Sequence, residues 1–402
     1  MSKWSLVRID EICEVNPKIG RGVLSPDTLV SFLPMAAVAE NGGGIINVPE
    51  RAYHEVSKGY TYFQDNDVLF AKITPCMENG KVVIAKNLKN NIGFGSTEFH
   101  VRCSSEVLPK WIFAFLIQPS YREQARRNFT GTAGQQRVPT DFIKNSIIPL
   151  PPLPEQERIV RLLDEAEALR ATRKRANVRM GQFVPALFQE LFDTASNEII
   201  SNSNNDWKEM KLGDVCSFIR GPFGGSLKKN VFKSDGYAVY EQRHAIHKDY
   251  SEIRYFINEE KFKEMARFEL HPGELIMSCS GVTLGRVSIA PENIKPGIIN
   301  QALLKLTPSN KKISVEFLKI WMESESFQVS IRKYSQGAAI PNVASVKILK
   351  DIPIYLPPLA LQREFAARVE AARGVQSAQA RSAERIEALY QSMLSRAFAG
   401  EL

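Results

Sequence analysis

Leu150-Pro151-Pro152-Leu153-Pro154-Glu155-Gln156-Glu157-Arg158-Ile159 decides how this chain is built, because Leu356-Pro357-Pro358-Leu359-Ala360-Leu361-Gln362 repeats its core 206 residues further on. Paired prolines fix φ and remove backbone donors, so neither helix nor strand passes through them, and a helix can begin just after. After the first pair, Ile159, Leu162, Ala166, Leu169, Arg173, Ala176, Met180, Phe183 and Leu187 are spaced alternately three and four residues apart. That is the a/d seam of a coiled coil, broken by one polar residue, Arg173. After the second pair, Phe365, Val369, Ala372, Val375, Gln379, Ala383, Ile386, Tyr390, Met393 and Ala397 keep the helical period with one local slip, and Gln379 stands at the level of Arg173. A polar seam residue sets register at some cost in stability, and the alanines allow close helix approach. Pro185 predicts a kink or early end in the first helix.

Working outward, offsets of 203 to 207 residues join other segments. Trp4-Ser-Leu-Val-Arg-Ile9-Asp-Glu-Ile12-Cys13 matches Trp207-Lys-Glu-Met-Lys-Leu212-Gly-Asp-Val215-Cys216. Asp67-Val-Leu-Phe matches Glu274-Leu-Ile-Met, Gly80-Lys-Val-Val-Ile-Ala85 matches Gly285-Arg-Val-Ser-Ile-Ala290, and Gly131-Thr-Ala matches Gly337-Ala-Ala. A period near half the 402-residue length is far too long for a solenoid and means two copies of one domain-sized unit. Within each copy, short apolar runs between Gly, Pro, Asn and Asp read as strands (Asp67–Ala71, Lys81–Ala85, Leu275–Ser278, Gly297–Asn300). Pro109–Ile117 and Val315–Met322 place aromatic and aliphatic side chains three and four apart, as a helix with one buried face does.

The expected class is therefore α+β. Two tandem β-rich domains, 1–150 and 207–356, are followed by helices 151–195 and 357–402, with 196–206 (polar, Asn/Ser-rich) as linker. The simplest partner for each apolar helix stripe is the other helix, antiparallel about a pseudo-twofold axis. A helix of about 35 residues is roughly 50 Å long, more than the ~34 Å turn of B-DNA. Such a rod suits two sensors reading short sites either side of an unread gap.

Composition narrows the function classes. Net charge is +8 and the isoelectric point about 9.1, which leans toward a polyanionic partner. No stretch approaches a membrane span, and the N-terminus carries no apolar signal core. Five scattered cysteines, never paired as CxxC, fit a reducing cytoplasm rather than a disulfide framework or a zinc knuckle. There is no GxxxxGK[ST], no HExxH, no Asn/Asp-Pro-Pro-aromatic sequence and no GxGxxG after a strand; Gly221-Pro-Phe-Gly-Gly-Ser reads as a turn. His244 and His247 lack a third ligand nearby, so no metal and no catalytic residue is assigned.

The proline–glutamine segment 150–159, following Gly131-Thr-Ala-Gly-Gln-Gln-Arg-Val138, resembles the junction of target-recognition domain and spacer helix in the specificity subunits of type I restriction-modification enzymes (the HsdS family). Gly221-Pro-Phe-Gly-Gly-Ser-Leu-Lys-Lys229 and the closing Arg396-Ala-Phe-Ala-Gly-Glu-Leu402 resemble that family too, and the likeness covers essentially the whole chain. The second copy departs from it by lacking Pro-Glu before Gln362, which leaves its helix start less sharply set. The resemblance implies a non-catalytic subunit in which each domain reads half of a bipartite site on double-stranded DNA. It further implies that the helices set the gap and dock two methyltransferase (M) subunits, which restriction (R) subunits can join. S-adenosylmethionine, ATP and magnesium would then belong to those partners and none to this chain. A recognition subunit of a related bipartite type II enzyme, and a coiled-coil adaptor that binds no DNA, are the alternatives.

Base readout needs Arg, Lys, Asn and Gln on loops or helix tips, and phosphate contacts need cations. The turn-flanked candidates are Lys72, Thr74, Asn79, Lys81, Gln135, Gln136 and Arg137 in the first copy. In the second they are Arg220, Lys228, Lys229, Gln242, Arg243, Arg286, Gln336 and Asn342. Gln135-Gln136-Arg137 is the leading group, because amides and guanidinium make bidentate contacts to adenine and guanine. Arg170–Arg179 holds five cations and no acid; DNA phosphates, an acidic partner and plain solvation are all open for it.

Overall fold

The computed structural model describes residues 4–17, 24–100, 107–132, 134–193, 207–223, 225–333, 342–343 and 345–402. It divides into two units, one made of residues 1–175 and 380–402 and the other of 176–379. The linker expected at 196–206 lies outside the described residues.

In the first unit, the segment opened by Trp4 forms strand Ser5–Arg8, antiparallel to Ile147–Leu150 just before the prolines, with Ser5 opposite Leu150. The apolar runs become strands Val68–Ala71 and Val82–Ile84, which with Phe99–His100 make a three-stranded sheet centred on Val68–Ala71. A four-stranded sheet follows the order Glu50–Ala52, Leu29–Leu33, Ile92–Gly95, Thr61–Gln64, with its central pair parallel. Helix Pro109–Leu116 starts with proline, where a missing N–H costs nothing, and buries Trp111, Ile112 and Phe113.

The second unit repeats the plan. Lys208–Lys211 pairs with Pro353–Leu356, Lys208 standing opposite Leu356. Leu275–Ser278 lies between Val287–Ile289 and Leu303–Pro308, and Cys216–Arg220 extends that sheet at its edge. Tyr237–Tyr240 pairs parallel with Gly297–Ile299. The repeated glycines have one reason: Gly80 and Gly285 both take positive φ, and a Cβ on Gly285 would stand 2.3 Å from Ile331 Cδ1.

The proline–glutamine motif is a clamp. Gln156 is buried; its Oε1 accepts from Leu108 N at 3.0 Å and its Nε2 donates to Pro151 O at 2.9 Å. Gln362, also buried, accepts from Ser314 N at 2.8 Å and donates to Pro357 O at 2.9 Å. Leu108 and Ser314 are the N-cap residues of the equivalent helices Pro109–Leu116 and Val315–Glu323. Each glutamine thus satisfies an orphan donor at one helix start while fixing the turn that launches another. The missing Pro-Glu has no effect on where the second long helix begins: Leu153–Phe188 and Leu359–Ala399 start at equivalent leucines.

The first long helix differs from its expected seam in alternate positions. Ile159 and Ala166 are buried as expected, but Leu163 is buried where Leu162 is only half-buried, and Leu169 and Phe183 are 55% and 44% exposed. The inward positions are 159, 163, 166, 170 and 173 and, in the second unit, 176, 180, 184, 187 and 188, so Arg173 and Ala176 keep the expected seam. The doublets Leu162-Leu163, Phe183-Val184 and Leu187-Phe188 allow either phase. Arg170 occupies the seam because its stem packs while its guanidinium lies 4.2 Å above the Tyr390 ring and pairs with Glu387 at 2.7 Å. In the second long helix Phe365, Val369, Ala372, Tyr390 and Ala397 are buried, while Ala383, Ile386 and Met393 are half-buried. Val375 is exposed, and Gln376 turns in to donate to Met180 O at 3.1 Å. Within the second unit the two segments run antiparallel, since Met180 meets Gln376 and Phe188 meets Phe365. Pro185 does not end the first helix, which continues to Phe188 and then takes five π-helical residues, Gln189–Asp193. The carbonyl that loses its donor to a proline is that of residue i−4, here Gly181, and both Gly181 and Pro185 are exposed, so that carbonyl faces water.

Two further contacts repeat between the units, and the first does so with its charges reversed. Lys110 pairs with Glu167 at 2.6 Å and Asp164 at 3.0 Å. At the equivalent place Glu316 pairs with Arg373 at 2.8 Å. Phe398 stacks near Trp111 (4.4 Å between centroids) as Phe192 does near Phe317 (5.0 Å), 206 residues earlier in sequence.

Candidate nucleic-acid interface

In each unit three backbone segments run side by side beyond the end of the central strand. In the first, Lys72 N donates to Glu98 O at 2.9 Å, Val138 N donates to Lys72 O at 2.9 Å, and Ile73 bridges to Arg137. In the second, Cys279 N donates to Ala302 O at 2.9 Å, Val343 N donates to Cys279 O at 2.8 Å, and Ser280 bridges to Asn342. The matching bonds make Lys72 equivalent to Cys279, Glu98 to Ala302, and Arg137 to Asn342.

On the first edge, Lys72, Gln135, Gln136 and Arg137 come together although 63 residues separate Lys72 from Gln135 in sequence. Gln135 is exposed, and Gln136 and Arg137 are half-buried. Arg137 reaches across the middle segment to Glu98, its Nε donating at 3.0 Å and its Nη2 at 2.8 Å, while Nη1 donates to Gln135 O at 2.9 Å. Lys72 Nζ stands 4.0 Å from the same carboxylate. Two cations against one anion leave a net positive charge. His100 lies buried behind them, hydrogen-bonded to Asn16 and to Val138 O, and its pKa is lowered to about 4 by burial and then by Lys72. It is neutral at pH 7 and adds no charge to the edge. Thr74, Asn79 and Lys81 belong to the adjoining turn but are engaged in holding it. Thr74 bonds Glu78, Asn79 donates to Glu40 at 2.7 Å, and Lys81 donates to Met35 O at 3.1 Å.

On the second edge, Arg220 Nη2 donates to Asn342 Oδ1 at 3.0 Å, and Gln242 Nε2 donates to Ser280 O at 2.6 Å and Thr283 Oγ1 at 2.9 Å. Arg220, Gln242 and Asn342 therefore converge on the turn 280–283. Arg286 is exposed at the far end of that turn. Arg243 points elsewhere, pairing with Glu252 at 2.5 Å, and Lys228 and Lys229 are exposed on a separate turn. Gln336 lies outside the described residues. Two apolar side chains not anticipated from sequence flank this edge: Val282 is fully exposed and Phe223 is 83% exposed. Nor was Glu98 anticipated, because a search for DNA-facing residues selects cations and amides. A charge-complement rule applied to Arg137 could have pointed to an acid without saying which one.

Of the basic run, Arg170 is committed to Tyr390 and Glu387, Arg173 is half-buried, and Lys174, Arg175 and Arg179 are exposed. His244 is buried, with Glu241 N donating to its Nδ1 at 2.9 Å and its Nε2 bonded to Glu252 O at 3.2 Å. Among the described residues no three His, Cys, Asp or Glu side chains converge as a metal site, and no helix is long and apolar enough to cross a membrane. A cavity of about 840 Å³ in the second unit is lined by Lys248, Glu316, Lys319, Glu323 and Arg373. These pair among themselves, Lys248 and Lys319 with Glu323 at 2.7 and 2.8 Å and Arg373 with Glu316 at 2.8 Å, so the cavity is held by its own salt bridges.

Two α+β units, each launched by a terminal strand pair, clamped to a long helix through a glutamine and presenting a polar edge at the same strand end, define a duplicated surface-recognition protein. The model of the type I restriction modification DNA specificity domain matches residues 1–178 and again 204–378, and the chain belongs to that family. The type I restriction enzyme EcoEI specificity subunit of Escherichia coli is 42% identical over 159 residues, 39% of this chain but only 26% of that subunit. A chain from a structure on complex assembly and conformational transition of the type I R-M system superposes with a TM-score of 0.69 at 20% identity, covering 99% of this chain and 98% of that one. The HsdS subunit from Thermoanaerobacter tengcongensis gives 0.52, also at 20% identity, covering 99% and 97%. At that identity the structures establish the shared fold.

Proposed function

We propose that this chain is the specificity subunit of a type I restriction-modification complex, each unit reading one half of a bipartite double-stranded DNA target. One observation carries the reading: the same three-segment edge occurs in both units, with cations and amides (Lys72, Gln135, Gln136 and Arg137; Arg220, Gln242 and Asn342) at equivalent strand ends. Family membership over both halves supports it. In this reading the long helices set the unread gap and dock two methyltransferase subunits. Those partners carry S-adenosylmethionine and the methyl transfer, restriction subunits bring ATP, magnesium and cleavage, and the complex works in the cytoplasm. The chain itself performs no catalysis.

Methylome sequencing of a host with and without the gene tests this directly. The expected result is a split methylated motif that appears only with the gene and requires the methyltransferase partner. An unchanged methylome in a host with active methyltransferase subunits refutes it. A chain retained on duplex DNA no better than on neutral resin at low salt refutes DNA binding itself, since phosphate contacts are strongly salt-dependent.

A further inference from the structure

We propose that Arg137 reads a guanine in the half-site of the first unit and that Glu98 positions its guanidinium to do so. This rests on the DNA-reading function proposed above. A guanidinium has five N–H donors in a rigid plane. Glu98 takes Nε–H and one N–H of Nη2, and the carbonyl of Gln135 takes one N–H of Nη1. One N–H therefore remains on each of Nη1 and Nη2. Two donors on adjacent nitrogens are what the O6 and N7 acceptors of guanine require in the major groove.

The carboxylate lies on the neighbouring outer segment, and Arg137 must cross the middle strand to meet it. A side chain with several rotatable bonds is thereby fixed at both its edge and its tip before any ligand arrives, so little rotamer entropy is lost when it engages a base. The arrangement is specific to the first unit. The equivalent of Glu98 is Ala302, and the equivalent of Arg137 is Asn342, whose Oδ1 accepts from Arg220. The two halves therefore differ in chemistry at the same structural position, as two readers of different half-sites must. Lys72, 4.0 Å from the carboxylate, keeps the cluster net positive, so Glu98 does not make the edge repel a phosphodiester backbone. Glu98 is a positioning residue; the contact to the base is assigned to Arg137.

The test is selection of a randomised duplex library on the full chain, read by sequencing, for the wild type and for Arg137→Lys, Glu98→Gln and Glu98→Asp. The wild type is expected to require guanine at one position of one half-site. Arg137→Lys and Glu98→Gln should each reduce that preference roughly 5- to 150-fold, the value of one bidentate contact, and leave every other position and the whole second half-site unchanged. Glu98→Asp, which keeps the charge, should restore part of the preference. Arg137→Lys carries the same test where Glu98→Gln impairs folding, because lysine keeps the charge and loses only the fork. Unchanged preference in both variants overturns the assignment. So does an Arg137→Ala variant that weakens all sequences uniformly with a salt slope shallower by about 0.9, the mark of a phosphate contact. A wild type that enriches no sequence and shows no salt dependence overturns the DNA-reading function as well, which separates the two failures.

Discussion

Replacing Gln156 by alanine tests whether the proline–glutamine motif is a structural clamp. The side chain is 1% exposed and satisfies two backbone groups, Leu108 N and Pro151 O, at 3.0 and 2.9 Å. Alanine leaves both without a partner in a site closed to water. An unsatisfied buried donor or acceptor costs about 1–3 kcal/mol, so the expected loss for the two is about 2–6 kcal/mol. For a unit of this size that corresponds to a fall of roughly 8–16 °C in Tm at the middle of the range. Calorimetry of the full chain measures it, with urea unfolding giving the free energy directly. Gln156→Glu should do worse than alanine at neutral pH, because the carboxylate can accept from Leu108 N but repels Pro151 O and is buried charged. Its defect should shrink on acidification as it protonates and regains a donor. Gln362→Ala should cost the second unit a similar amount through Ser314 N and Pro357 O. A loss below about 0.5 kcal/mol for Gln156→Ala, the size of an ordinary surface change, would refute the clamp.

Other expectations follow from particular contacts. Leu163→Ala should cost about 2–5 kcal/mol as a buried truncation, whereas Leu169→Ala, at a position 55% exposed, should change stability by less than about 0.5 kcal/mol; the reverse order in chemical denaturation would restore the seam expected from sequence. Lys110→Glu should destabilise the first unit by about 1–2 kcal/mol, and adding Glu167→Lys should recover most of it, because the pair Glu316–Arg373 uses that reversed polarity successfully; no recovery in the double variant counts against the pairing. His100 has its pKa depressed from 6.5 to about 4, so its contribution is fully present above pH 6.5 and is lost as pH falls toward 4. The loss is about 3 kcal/mol, and His100→Gln should flatten the Tm profile between pH 6.5 and 4; an unaltered profile would mean that other groups govern it. Inserting one heptad into each long helix should lengthen them by about 10 Å, and on the proposed function the unread gap should grow by about three base pairs with the half-site bases unchanged; altered half-site bases would show that the helices do more than separate.

The repeat, the class of fold and the helix starts were legible because they depend on local signals. Trp4 and Trp207, the two Leu-Pro-Pro-Leu segments and the glycines at 80 and 285 occupy equivalent places in the two units, and strands Val68–Ala71, Val82–Ile84 and Leu275–Ser278 fall within their apolar runs. The seam was half legible. A 3-4 pattern with adjacent apolar residues fits two phases, and the choice went to the one that let Arg170 lie on Tyr390, a contact with a residue more than 200 positions away. Pro185 does not stop the helix at once, because the Gly181 carbonyl that loses its donor is on an exposed turn open to water, and the α-helix gives way to π-helical residues after Phe188.

The sequence alone, then, determined that this protein is two copies of one α+β unit with a long helix after each, since proline pairs, apolar period and internal repetition act over a few residues at a time. Which cations and amides share an edge, and which acid fixes Arg137, only the tertiary structure decided. Glu98, Lys72 and Arg137 are brought together by strand pairing across gaps of 26 and 65 residues, and no periodicity within one segment encodes a partner on another.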